Sequence, residues 1–238
     1  MNIAVIFAGG SGKRMHTREK PKQFLMVHGK PIIVHTIEQF EYHPEIDGII
    51  VVCIRDWIPY MEEMKYRYRL DKIGQIVPGG ETGQMSIYNG LEAAASVYGE
   101  EDNIVLIHDG VRPLIDAATI TENIRSVQTY GSAITCKASK ETVILVDDAG
   151  RVSEVPSREH SRLAVAPQSF WLSDILAVDR RAIAEGHTNM IDSCTMMRHY
   201  GMPISVVVGP SENIKITTPD DFHTFRALYD ARENQQLE

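Results

Sequence analysis

A short apolar run, Ile3 to Phe7, leads straight into Ala8-Gly9-Gly10-Ser11-Gly12-Lys13-Arg14-Met15, and Lys20-Pro21-Lys22-Gln23-Phe24 follows. Glycine tolerates positive φ and lets bare backbone approach a ligand, so successive N–H groups after such a strand can converge on one anion. Lys13, Arg14, Lys20 and Lys22 add positive charge beside those donors. The chemistry this suits is the holding of phosphates. Neither familiar phosphate motif fits. Phe7 stands where a Gly-x-x-x-x-Gly-Lys-Ser/Thr loop needs its first glycine, and Met15 where a dinucleotide fingerprint needs its last. On the glycines alone a plain solvated turn fits equally well; Pro21-Lys22-Gln23-Phe24 favours the anion site.

The elements that would position this loop are regularly spaced. Apolar runs of strand length recur at Ile3 to Phe7, Ile49 to Ile54, Ile73 to Val77, Ile104 to Ile107, Ala133 to Cys136 and Ile204 to Val208. They are continuous rather than alternating, as in strands covered on both faces. Pro31 suits the first position of a helix with Ile33, Ile37 and Phe40 on one face, and further helices are predicted over Gln84 to Val97 and from about Asp116 to Tyr130. Thr218-Pro219-Asp220-Asp221 supplies a cap, a proline and acids for a final helix, after which Arg232 to Glu238 is polar enough to fray. The alternation predicts an α/β fold with a mainly parallel sheet flanked by helices. Asp109 ends the Ile104 to His108 strand, where open α/β sheets present ligand groups, and an acid there suits Mg²⁺ held by a carboxylate and substrate phosphates.

One stretch breaks the rhythm. Between Lys137 and Ser161, Glu141 to Val146 and Arg151 to Val155 flank the turn signal Asp147-Asp148-Ala149-Gly150. This reads as a protruding β-hairpin with too little apolar surface for a core of its own.

Composition narrows the class. The chain has 238 residues, with 24 basic and 32 acidic side chains for a net charge of −8, which argues against general nucleic-acid or membrane-surface binding. Cys53, Cys136 and Cys194 form no Cys-x-x-Cys pair, so neither a disulfide framework nor a zinc site is suggested. The opening residues lack a basic leader and glycines interrupt them early. A reduced, cytoplasmic protein is expected.

With Ala-Gly-Gly-x-Gly-x-Arg-Met and Pro-Lys-Gln-Phe in this order, the chain resembles the cytidylyltransferases that activate sugar-alcohol phosphates. These include the ribitol 5-phosphate enzymes of teichoic-acid and capsule pathways and the methylerythritol 4-phosphate enzymes of isoprenoid synthesis. The resemblance continues through Gly79-Gly80, His108-Asp109-Gly110-Val111-Arg112-Pro113, Pro167-Gln168-Ser169-Phe170 and Asn213-Ile214-Lys215-Ile216-Thr217. It implies a Rossmann-like nucleotidyltransferase fold, one domain over residues 1–238 with residues 137–161 inserted as an arm that embraces a second subunit of a homodimer.

The implied reaction is Mg²⁺-assisted transfer of CMP from CTP to a polyol phosphate, with release of diphosphate. Joining two anions requires charge neutralisation and alignment rather than a nucleophilic side chain. By resemblance, Arg14 and Lys22 stabilise the transferring α-phosphoryl group, while Arg158 and Lys215 hold the acceptor phosphate. Phe7, Ala8, Gly9, Gly10, Ser11, Gly12, Gly79, Gly80, Ser86 and Asp109 surround CTP, Asp109 also meets the metal, and Gly110, Arg112 and Thr142 complete the acceptor side. His108 is expected to be a packed strand-end residue, since an ionised phosphate needs no strong base.

The chain departs from the family pattern at Gly83, usually arginine, and at Ala166, usually threonine. Ile191-Asp192-Ser193-Cys194 replaces the Thr-Asp-Glu-Ala frequent in methylerythritol enzymes. Ribitol 5-phosphate is therefore the favoured acceptor and methylerythritol 4-phosphate the alternative. A non-catalytic nucleotide sensor would lack the cations that are present here. A glycosyltransferase would more often carry Asp-x-Asp near a strand end, which this chain does not.

Overall fold

β1 (Asn2–Ala8) lies inside a seven-stranded sheet, and its neighbours explain why the run is apolar throughout. Ala4, Ile6 and Ala8 enter the core on one face while Ile3 and Val5 enter the core on the other, so both sets of alternating side chains must be apolar. The computed structural model describes residues 1–9 and 20–235. Gly10, Ser11, Gly12, Lys13 and Arg14 therefore lie outside the described residues.

After β1 come a small hairpin of β2 (Met26–Val27) and β3 (Lys30–Pro31), then α1 (Ile32–Glu41), β4 (Gly48–Cys53), α2 (Ile58–Tyr68) and β5 (Ile73–Pro78). The chain continues through α3 (Gly83–Tyr98), β6 (Ile104–Asp109), α4 (Ala117–Tyr130) and β7 (Ser132–Ala138). A second hairpin, β8 (Leu145–Val146) with β9 (Val152–Glu154), precedes β10 (Arg162–Trp171), α5 (Leu172–Ala184), α6 (Ser193–His199), β11 (Val206–Val208) and α7 (Pro219–Gln235). The sheet order is β11-β7-β10-β6-β1-β4-β5. Among these strands β10 alone runs antiparallel to its neighbours. It thereby brings its first half to the edge where β1 and β6 end.

The mainly parallel α/β reading stands, with several corrections. Pro31 precedes α1 instead of opening it. The run from Ile204 forms a strand only over Val206–Val208. α7 continues past Arg232, whose Nη2 donates to Leu114 O at 2.9 Å and ties the last turns to the body. The expected hairpin is present in shortened form around Asp147, whose Oδ1 accepts from the amides of Ala149 and Arg151. Ile144, Leu145, Val146, Val152 and Val155 on it are exposed. α2, β10, α5 and α6 are additions that the apolar periodicity did not reveal.

α3 packs against β1 and β4 at Gly90. A Cβ there would sit 2.6 Å from Val5 Cγ1 and 2.7 Å from Val52 Cγ2, so glycine is what permits this approach. The helix start, with Thr82 as its cap, is thereby held beside the end of β1.

Candidate active site

The carboxyl edge of β1 and β6 carries the charged groups. Phe24 is fully buried, stacked on Trp57 at 4.9 Å with Tyr60 edge-on at 5.2 Å, which anchors the single 3-10 turn Lys22–Phe24. Gln23 Nε2 donates to Ala8 O at 2.6 Å and ties this turn to the last residue of β1. Lys22 Nζ then reaches Ile216 O at 2.9 Å. Lys22 is thus carried to the Asn213–Thr217 segment.

Asp109, the last residue of β6, is buried between two cations. Its Oδ2 lies 2.7 Å from Arg112 Nε and its Oδ1 2.6 Å from Lys215 Nζ. Burial alone would push this carboxyl up, but Lys215 and Arg112 overcome that and hold it down at about 2. A group so acidic is a permanent anion and a poor base. Arg112 Nη1 also donates to Asn213 O at 2.8 Å, and Asn213 Nδ2 donates to Ala166 O at 2.7 Å. Asn213 therefore links the Asp109 cluster to the first half of β10, where the pairing with β7 slips between Ala164 and Gln168. Asp116 is the N-cap of α4, accepting from Thr119 N at 2.8 Å, which leaves Asp109 for other work.

Phe7, Asp109, Arg112 and Lys215 share one cavity of about 330 Å³ with Ala166 and Gly83. The two positions where the chain departs from the family motif thus face the same space. A Cβ at Gly83 would meet nothing within 4 Å. A small residue at each widens the cavity.

Gly9, Gly79, Gly80 and Ser86 also come together. A Cβ on Gly9 would lie 3.3 Å from Ser86 Oγ and 3.6 Å from Gly79 Cα. Ser86 Oγ accepts from Gly80 N at 3.0 Å and donates to Thr82 O at 2.8 Å. Gly110 N donates to Phe7 O at 3.0 Å, closing the β1 and β6 ends against each other. Arg158 and Thr142 are placed elsewhere. They bond to one another at 3.0 Å on the exposed arm and are not among the residues lining the cavity.

His108 is fully buried, with Nε2 donating to Arg112 O at 3.1 Å and no partner for Nδ1. Burial pushes it down to about 4, so it is neutral and sealed off, as the sequence reading expected of a packed residue. Asp179 on α5 is its counterpart: burial pushes this fully buried carboxyl up to about 6. The signs oppose. The unfolded chain protonates His108 near 6.5, so folding weakens as pH falls from about 6.5 to 4. Asp179 takes its proton more readily when folded, so folding strengthens from about pH 6 to 3.8. Each is worth roughly 3 kcal/mol at about 1.4 kcal/mol per pH unit. Denaturant midpoints should therefore change little over that window. In Asp179→Asn the unfolding free energy from such titrations should rise by about 2 kcal/mol at pH 8 and decline towards pH 4; a variant profile parallel to the original would refute the offset.

Four polar residues of the cavity wall carry no role assigned from the sequence: Gln84, Gln168, Asp192 and Ser193. Gln168 lay inside a recognised motif, and its amide spans Asp192 Oδ2 at 3.0 Å and Cys194 N at 2.8 Å. Among the described residues, the three-residue group His28, Asp230 and Glu233 is within metal-binding range of itself but does not line the cavity.

Comparison with known proteins fits this geometry. Residues 2–230 match the protein family described as IspD, 2-C-methyl-D-erythritol 4-phosphate cytidylyltransferase. The chain belongs to the IspD family. Among IspD-family relatives, a ribitol-5-phosphate cytidylyltransferase of Streptococcus agalactiae serotype III is 58% identical over 237 residues, covering 100% of this chain and 99% of the relative. A 2-C-methyl-D-erythritol 4-phosphate cytidylyltransferase of Clostridium botulinum is 35% identical over 220 residues, covering 92% and 93%. The crystal structure of 4-diphosphocytidyl-2C-methyl-D-erythritol synthase from Anaerococcus prevotii superposes with a TM-score of 0.83 at 28% identity, covering 96% of each chain. The Rossmann-like nucleotidyltransferase fold and the cytidylyltransferase class expected from the motifs are those of this family. No helix among the described residues is long and apolar enough to cross a membrane.

Proposed function

We propose that the protein transfers CMP from CTP to D-ribitol 5-phosphate, giving CDP-ribitol and diphosphate. The observation that carries the choice of acceptor is the full-length 58% identity to a ribitol-5-phosphate enzyme, against 35% to a methylerythritol one.

In this reading a phosphate oxygen of the acceptor attacks the α-phosphorus of CTP. The new P–O bond forms as the α–β bridging P–O bond breaks, and diphosphate leaves with the electron pair. Lys22, with Arg14 from the glycine loop, neutralises charge gathering on the α-phosphoryl oxygens. Gly9, Gly79, Gly80 and Ser86 shape the nucleotide side, where small residues let backbone donors close on the ligand. Lys215 holds the acceptor phosphate. Arg112 fixes both Lys215's partner, Asp109, and the Asn213 segment. No general base is required, which agrees with an active-site edge whose buried groups, Asp109 at about 2 and His108 at about 4, are poor proton acceptors.

Asp109, at the cavity wall, is an oxygen donor of the kind Mg²⁺ takes, and it would share the oxygen now paired with Lys215, with substrate phosphates as the remaining ligands. Bound there, the ion would neutralise triphosphate charge. Arg158 and Thr142 enter the reading through the arm: its exposed apolar side chains suit contact with a second copy of the chain in a homodimer, where the pair would approach the partner's acceptor site.

Diphosphate release with CTP and Mg²⁺ should be fastest with ribitol 5-phosphate in a panel that includes methylerythritol 4-phosphate, and absent when either reactant is omitted. Preference for methylerythritol 4-phosphate would reassign the acceptor. Equal release from every nucleoside triphosphate would end the cytidylyl reading.

A further inference from the structure

We propose that Gln84 and Asp179 form a strut that fixes residues 187–192 as one wall of the acceptor half of the cleft, and so set acceptor affinity without touching the reacting phosphates. The inference rests on the cytidylyl-transfer reading of the site.

The segment joining α5 to α6 has no regular structure before Ser193, yet Met190, Ile191 and Asp192 line the cavity. Backbone without a ladder must find hydrogen-bond partners elsewhere. The start of α3 supplies them. Thr82 accepts from Met85 N at 3.1 Å and donates its own hydroxyl proton to Thr188 O at 2.5 Å. Gln84 Nε2 donates to His187 O at 2.9 Å, and Gln84 Oε1 accepts from Met190 N at 2.9 Å. The same Nε2 donates to Asp179 Oδ1 at 3.0 Å.

Asp179, with His187 O and Met190 N, sets which way this amide faces. An ionised carboxylate only accepts, so it draws the NH₂ end of Gln84 and leaves the carbonyl end for Met190 N–H. The reversed amide would set oxygen against oxygen at Asp179 and at His187, and donor against donor at Met190. The arrangement is costly, because Asp179 is fully buried and its Oδ2 has no partner. A plain core would not need a carboxyl here. At its other end the segment is held by Gln168 through Asp192, so Ile191, exposed at 88%, is carried between two fixed points at the cavity wall.

Gln84→Ala, and Gln84→Met as a variant of closer shape, should raise KM for the acceptor about tenfold, the size expected from losing one or two hydrogen bonds, while KM for CTP stays within about twofold. Asp179→Ala should behave like Gln84→Ala. Asp179→Asn keeps a carbonyl that accepts from Gln84 and should restore an acceptor KM near the original. Hydrogen exchange on the free protein gives the second readout. Peptides spanning residues 186–192 should exchange faster in Gln84→Ala and Gln84→Met but not in Asp179→Asn. Unchanged exchange, or both KM values rising together, would overturn the strut. Exchange needs no substrate, so it reads the strut even if the acceptor panel overturns the function proposed above.

Discussion

Replacing Lys22 by methionine is expected to lower kcat for CMP transfer by about two to three orders of magnitude, the loss typical when one preorganised donor to developing negative charge is removed. Methionine keeps much of the stem and removes only the ammonium. The turn itself is held by groups the substitution leaves alone: Phe24 between Trp57 and Tyr60, and Gln23 on Ala8 O. The melting temperature should therefore move little. KM for CTP should rise less than kcat falls, because charge on the α-phosphoryl group is greatest while the P–O bonds exchange. Rapid-quench measurement of diphosphate release separates this step from product release. A chemical step as fast as in the unaltered protein would remove Lys22 from the mechanism. Arginine should rescue only in part, since a planar fork does not occupy the position of a point charge 2.9 Å from Ile216 O.

What could be read beforehand follows from how local each signal is. β1, β4 and β6 declared themselves because helices cover both faces, leaving nearly every residue apolar. β10 hid because its first three residues are exposed, Pro167 interrupts it, and its buried polar residues are satisfied from outside the strand. Ser169 Oγ donates to Asn123 Oδ1 at 2.8 Å and Gln168 reaches Asp192, neither of which any pattern within the strand predicts. In α2 only Met61 and Met64 are buried, and the surrounding charges and tyrosines mask a helical face that narrow. The same division runs through the site. Lys22 beside the glycine turn and Asp109 at a strand end are visible in the residue types and their placement, whereas Arg112 and Lys215 were marked by the family resemblance. The roles of Asn213 and Gln84 depend on partners far away in sequence, so they emerge only from the folded chain. Arg158 was singled out through resemblance alone, and within one chain it meets Thr142 on the arm.

Asp109→Ala should cost both stability and catalysis, because it leaves the buried Arg112 guanidinium without its carboxylate. Breaking a buried pair in this way costs about 3–5 kcal/mol. Lys215 is less affected, since its side chain is 40% exposed and water can replace part of what it loses. Asp109→Asn is the milder case. It keeps the shape and loses the charge, and the shift from 3.8 to about 2 sets its cost at roughly 2 kcal/mol. The sign of the pH dependence follows from the depressed value: the carboxylate's contribution is complete above about pH 4 and is lost as pH falls towards 2. Urea midpoints of the unaltered protein and Asp109→Asn should thus differ by a constant amount between pH 8 and 5 and converge near pH 2. A gap that widened on acidification would mean that Asp109 is not the anion between Arg112 and Lys215. Activity supplies an independent reading: if Asp109 also helps to hold Mg²⁺, raising Mg²⁺ should recover part of the lost rate in Asp109→Asn but none of the lost stability. A carboxylate that acted only by bracing Arg112 and Lys215 would show no such recovery.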